Sequence, residues 1–221
     1  MQAVVLFARS PEREAAAKRM PAAVALFRGV IAAWLAAAKA AGATPLIACE
    51  SRDRESLSRI APHVERGWIE QGPGAFGERV CSAMEQAFAR GFASAIIAAI
   101  DAPPPPQLNA ALAALQQGLP VVAPARDGGV NFVGLTSPDR ALLERLTPRR
   151  RDLVDLCRAH LPQVVIFDAA TDVDSPSALA SARRERIWRA FVPSAVLSST
   201  PLVAPAMRGF SRARFSRPPP R

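Results

Sequence analysis

The stretch Ile96-Ile97-Ala98-Ala99-Ile100-Asp101-Ala102-Pro103 decides how this chain is read. An apolar run ends in one carboxylate, and consecutive prolines, Pro103 to Pro106, follow at once. A short apolar run closed by such breakers is a buried strand, and proline stops it abruptly. Asp101 therefore falls at the carboxyl end of a central strand. In open α/β sheets ligands bind along that edge. A carboxylate there can hold a divalent cation, which in turn holds phosphates. The competing reading makes Asp101 only a helix cap or a turn residue.

Upstream, Gln2 to Ala8 reads as a first buried strand, ended by Arg9-Ser10-Pro11 and followed by a charged loop. Pro21 through Ala41 carries Val24, Phe27, Ile31 and Leu35 at helical spacing, with Gly42 placed to terminate the helix. Thr44 to Ala48 and Val64 to Ile69 read as further strands. Gln71-Gly72-Pro73-Gly74-Ala75-Phe76-Gly77-Glu78-Arg79 is a glycine-rich loop opening a helix to about Phe92. Glycines before a helix let backbone amides approach an anion, though they serve plain turns as well.

Downstream, a helix over Gln107 to Gln117 leads into a strand, Leu119 to Pro124. Asp127-Gly128-Gly129 lies in a turn, and Val130 to Leu135 alternates like a strand returning along the sheet. Helices over Pro138 to Leu146 and Arg150 to His160 precede a strand, Val164 to Phe167. Asp172-Val173-Asp174-Ser175-Pro176 opens a last helix to about Ala190, with a cap and a proline at its first position. This alternation predicts a three-layer α/β/α sandwich on a mostly parallel sheet, spanning residues 1–190. Prolines, serines and arginines dominate 191–221, which is expected to be a basic, poorly ordered tail.

Composition narrows the function. No stretch reaches the ~20 apolar residues of a membrane span, and Met1-Gln2 leads straight into a strand, so a cytoplasmic protein is expected. Cys49, Cys81 and Cys157 are odd in number and far apart, which argues against disulfides and a zinc site. His63 and His160 are too isolated for a histidine metal centre. The net charge is +9, but the segment from Arg183 onward holds +8 of it. The rest is nearly neutral, so no specific nucleic-acid partner is expected.

Five segments, in order, resemble one family. They are Phe7-Ala8-Arg9-Ser10-Pro11, Gln71-Gly72 with Gly77-Glu78-Arg79, Asp101-Ala102-Pro103, Asp127-Gly128-Gly129 with Gly134-Leu135, and Asp172-Val173-Asp174-Ser175-Pro176. Together they resemble the DUF2064 proteins, nucleotide-diphospho-sugar transferase-like chains of the glycosyltransferase A (GT-A, Rossmann-like) fold. The resemblance implies Mg²⁺ or Mn²⁺ bound by Asp101, with Asp172 and Asp174 approaching the same cation. It implies that Arg9, Lys18, Arg19, Gly72 and Arg79 meet the nucleotide and its phosphates. Asp101 and Asp127 become the catalytic pair, Asp127 orienting acceptor or substrate. The first loop departs from the family: Glu14 stands where a glycine is usual, Ala17 where a lysine is, and Lys18 one position later.

The expectation is a metal-dependent transferase acting on a nucleotide or nucleotide sugar, by glycosyl or nucleotidyl transfer. The alternative is a degenerate family member that binds or scaffolds without turnover. Nothing in the sequence points to an oligomeric state.

Overall fold

A computed structural model describes residues 1–64, 66–147, 151–189 and 191. The strands are β1 (Gln2–Phe7), β2 (Thr44–Cys49), β3 (Trp68–Glu70), β4 (Ser94–Ala99), β5 (Val121–Pro124), β6 (Val130–Leu135) and β7 (Val165–Ile166). The helices are α1 (Pro11–Ala17), α2 (Val24–Ala40), α3 (Arg54–Ser58), α4 (Phe76–Ala89), α5 (Leu108–Gln116), α6 (Arg140–Leu143), α7 (Leu153–His160) and α8 (Pro176–Ala182).

The seven strands form one sheet in the order β3-β2-β1-β4-β6-β5-β7. Only β6 runs against the others, pairing antiparallel with both β4 and β5. The strand at Ile96 is therefore central, as its apolar run requires. Side chains alternate across it. Ile96, Ala98 and Ile100 enter the core shared with α2 and α5, while Ala95 and Ile97 enter the core under α4, α6 and α7. Helices thus cover both faces, giving the three layers expected from the sequence.

Helix α2 buries Leu26, Phe27, Val30, Ile31, Trp34, Leu35 and Ala38 against the sheet. Burying each large side chain contributes about 1.5–3 kcal/mol. Together with the turn before it, α2 is the one helix among the described residues long and apolar enough to cross a membrane (Pro21–Ala40, mean hydropathy 1.7). In this fold it is a core helix. Trp34 is fully buried and its Nε1 donates to the carbonyl of Ala102 at 2.8 Å, fixing the bend just after Asp101.

Several sequence expectations need correction. The segment after Arg9 is not a charged loop but α1. Ser10 Oγ accepts from the Arg13 amide at 3.4 Å, Pro11 occupies the first turn, and Glu12 and Glu14 favour its positive end. The strand read over Val64 to Ile69 is confined to Trp68–Glu70 at the sheet edge. The helices read to Phe92 and Ala190 end at Ala89 and Ala182. Gly91 adopts positive φ after the first, and a separate turn, Arg186–Trp188, follows the second. All three cysteines are free and buried. Apart from Phe191, the 191–221 tail lies outside the described residues.

Candidate active site

The parallel strands place their carboxyl ends on one edge. The register Phe7↔Ala99 sets Arg9 beside Asp101, and antiparallel β6 brings its beginning to the same edge. A cavity of about 480 Å³ opens there. Its polar wall holds Arg9, Glu14, Lys18, Asp101, Asp172 and Asp174, with Asp127 and Asn131 beside them. The opposite wall, under α4 and α7, is apolar, with Phe7, Phe76, Val80 and Leu153. A drug-sized or nucleotide-sized ligand needs a cavity of this order.

Asp101 meets the late segment through the main chain: the Val173 amide donates to the Asp101 carbonyl at 2.8 Å. Val173 is fully buried in the core, so an extended backbone turns Asp172 and Asp174 to its other side. Carboxylate oxygens of Asp101, Asp172 and Asp174 come within 4.8 Å of one another. That separation suits one cation bound by oxygens about 2.0–2.6 Å away. Asp101 caps no helix, because α5 begins behind Gln107. The helix cap at the late segment is Ser175, whose Oγ accepts from the Ala178 amide at 3.2 Å.

Lys18, the C-cap of α1, reaches into this cluster. Its Nζ lies 2.9 Å from Asp101 Oδ2 and 3.3 Å from Glu14 Oε1, and it also donates to Asp174 Oδ1. The side chain is only 9% exposed. Burial works to lower the ammonium's pKa, but Asp101, Glu14 and Asp174 outweigh it and the net shift is upward. Burial pushes the Glu14 carboxyl up, against the pull of Lys18. Asp172 is raised to about 7, by burial first and then by Asp101, Asp174 and Asp127. The cluster gathers several carboxylates, partly buried at Asp101 and Asp172 and exposed at Asp174, and such a cluster favours a cation.

The remaining expected residues divide. Arg9 lines the cavity, 41% exposed, with Glu14 Oε2 3.7 Å from its Nη1. Arg79 lines the same cavity, stacked 5.8 Å over the Phe7 ring and donating to Gln71 Oε1 at 3.2 Å. Gly72 lies outside it, in a shallower pocket shared with Glu50, Arg52 and Arg79. Arg19 adopts φ 55° and its exposed side chain is not among the cavity's lining groups. Asp127 folds its own turn, its Oδ1 accepting from the Gly129 amide at 2.9 Å. Gly128 between them has φ 96°, and a Cβ there would sit 2.2 Å from the Arg151 carbonyl.

Sequence reading missed Glu14 as a cluster member, and also the anchors of the late segment. Glu185 Oε2 accepts from the Thr171 amide at 3.1 Å and its Oε1 from Thr171 Oγ1 at 2.5 Å. The fully buried Trp188 donates from Nε1 to the Thr171 carbonyl at 2.8 Å. Both fall within the stretch read as the last helix but lie past its observed end at Ala182, where no motif marks them.

This geometry and topology define a nucleotide-diphospho-sugar transferase-like fold with an acidic cluster on its ligand-binding edge. The chain belongs to the DUF2064 family, whose profile, described as "Uncharacterized protein conserved in bacteria", matches residues 32–147. The match takes in Asp101 and Asp127 but neither the Lys18 loop nor Asp172 and Asp174. No curated protein matches the chain in sequence. Among solved structures, a candidate nucleotide-diphospho-sugar transferase from Desulfovibrio desulfuricans G20 is 22% identical. Its TM-score is 0.70 over 89% of this chain and 93% of that one. Rv0371c from Mycobacterium tuberculosis H37Rv, in complex with manganese, is 18% identical with TM-score 0.52, over 82% and 96% of the two chains. The 4-diphosphocytidyl-2C-methyl-D-erythritol synthase from Anaerococcus prevotii DSM 20548 is 10% identical, with TM-score 0.50 over 82% and 96%. At these identities the likeness is one of fold.

Proposed function

We propose that the protein is a metal-dependent transferase acting on a nucleotide or nucleotide sugar. The convergence of Asp101, Asp172 and Asp174 beside a cavity on the sheet's carboxyl edge carries this reading. Three carboxylates suit Mg²⁺ or Mn²⁺, hard cations that take oxygen ligands. When bound, such a cation neutralises the charge that builds on a departing phosphate group. The manganese complex of a protein with this fold agrees with that assignment.

The chain's own residues supply the rest. Asp101 and Asp174 hold the cation, with Asp172 assisting. Arg9 and Arg79 present guanidinium groups to phosphates from the walls, and charge-assisted contacts of that kind are strong and directional. Asp127, set by its own turn, orients the acceptor. The apolar wall between Phe76 and Leu153 excludes water from one side of the cavity, which strengthens each of these electrostatic contacts.

A binding protein without turnover is the second reading, favoured by Glu14, which replaces a glycine of the family loop and stands inside the cavity. A thermal-shift screen of nucleotides and nucleotide sugars, with and without Mn²⁺, tests the first. Ligand at ~100 times its Kd adds about 2.7 kcal/mol of stability. Nucleotide stabilisation that depends on Mn²⁺ is the expected result. No shift with any nucleotide and metal would overturn it.

A further inference from the structure

Lys18 stands where the cation is expected. Its ammonium contacts Asp101 and Asp174, two of the three carboxylates whose oxygens gather within 4.8 Å, and adds Glu14 as a third partner. It reaches them from an otherwise unrelated part of the chain, 83 residues before Asp101. The ring of Phe27, 5.8 Å from Nζ, backs the ammonium on the core side. A surface lysine would stay in water; this one is 9% exposed and is held by acids on three sides. Without a positive charge there, the gathered carboxylates would face one another unbalanced.

Resting on the cation site proposed above, we propose that Lys18 is an internal substitute for the metal. In the metal-free protein its ammonium balances the acidic cluster. A divalent cation enters by taking Asp101 and Asp174 from Lys18, so ammonium and metal compete for the same oxygens. The displaced ammonium stays tethered at the cavity wall beside Arg9, where a phosphate brought in with the cation can accept it. Cation and phosphate-bearing ligand therefore bind cooperatively: the cation frees Lys18, and the anion gives the freed charge a partner.

Two consequences separate this from a plain structural ion pair. Lys18→Met keeps the length of the stem and removes the charge. Its Mn²⁺ affinity, measured by calorimetry without nucleotide, is expected to rise at least ~10-fold, because no internal cation has to be displaced. The second measurement uses the unaltered protein, which has only two lysines, Lys18 and Lys39. Lys39 is exposed and serves as the internal control. Acylation followed by mass spectrometry is expected to label Lys39 alike with and without Mn²⁺, and Lys18 several-fold faster with it.

Equal Mn²⁺ affinity in the two proteins, with Lys18 equally shielded in both states, would overturn the inference while leaving the metal site standing. Binding to Lys18→Met alone would overturn the exchange, because Lys18 would then exclude the metal from the natural chain. No Mn²⁺ binding to either would overturn both. Should Lys18→Met fail to fold, the labelling of the unaltered protein decides.

Discussion

Asp101→Asn isolates charge at the residue scale. Asparagine keeps the size and a neutral oxygen but loses the charge that a hard cation demands. Lys18 retains Glu14 and Asp174, so the metal-free fold should lose no more than about 1–2 kcal/mol. Mn²⁺-dependent nucleotide stabilisation is expected to vanish, as a thermal melt with and without metal will show. An unchanged shift would return Asp101 to a structural part. The sequence revealed this residue because a strand end before prolines can be read locally. Asp172 and Asp174 were singled out only through the family resemblance, and the structure supplies the local reason: Val173 is buried and the alternation turns both acids to its other side. The partner of Lys18 was not legible. A flexible four-carbon stem on a charged segment gives no direction until the backbone is placed. Glu14 stayed hidden with it, because a position read as loop assigns no facing neighbour.

Among the elements, α1 shows why the first segment was misread. Seven residues carry no apolar periodicity to detect, although Ser10-Pro11-Glu12 is a start signal in its own right. The late segment shows the opposite dependence, since its placement rests on groups far from any motif. Burial opposes the ionised form of Glu185, but donors at Thr171 and Arg126 win and hold its pKa below the usual 4.5. A depressed carboxyl adds stability that is fully present above 4.5 and is lost as pH falls through its lower folded value. Glu185→Gln should therefore cost about 2 kcal/mol at neutral pH and flatten that part of the acid denaturation curve. Equal acid profiles for variant and parent would show that the contact contributes nothing. On the other face, α4 begins against the end of α6, where a Cβ on Gly77 would lie 2.1 Å from the Glu144 carbonyl. Gly77→Ala must push the helices apart, and a loss of about 1–3 kcal/mol in urea unfolding is expected.

For the molecule as a whole, stability should grade outward from the sheet centre. Strands β1 and β4 are paired on both sides and covered on both faces, whereas β3 and β7 are short edges. Hydrogen exchange is expected to be slowest at Val4 to Leu6 and Ile96 to Ala98, and fastest at Trp68 to Glu70 and Val165 to Ile166. Equal protection across the sheet would contradict this order. The three-layer architecture could be read from the alternation of strands and helices, because burial on both faces leaves near-continuous apolar runs. The edges could not, because two or three paired residues carry too little pattern. The single backbone bond from Val173 to Asp101 has one more consequence at this scale. It closes a chain loop of about 70 residues, and whatever positive charge sits among the neighbouring carboxylates acts as a removable, non-covalent cross-link across that loop. Cross-links of this kind gain most when the loop they close is long. The lysine ammonium ties three distant regions of the chain at one knot, and a cation taking its place would re-tie the two that carry the aspartates.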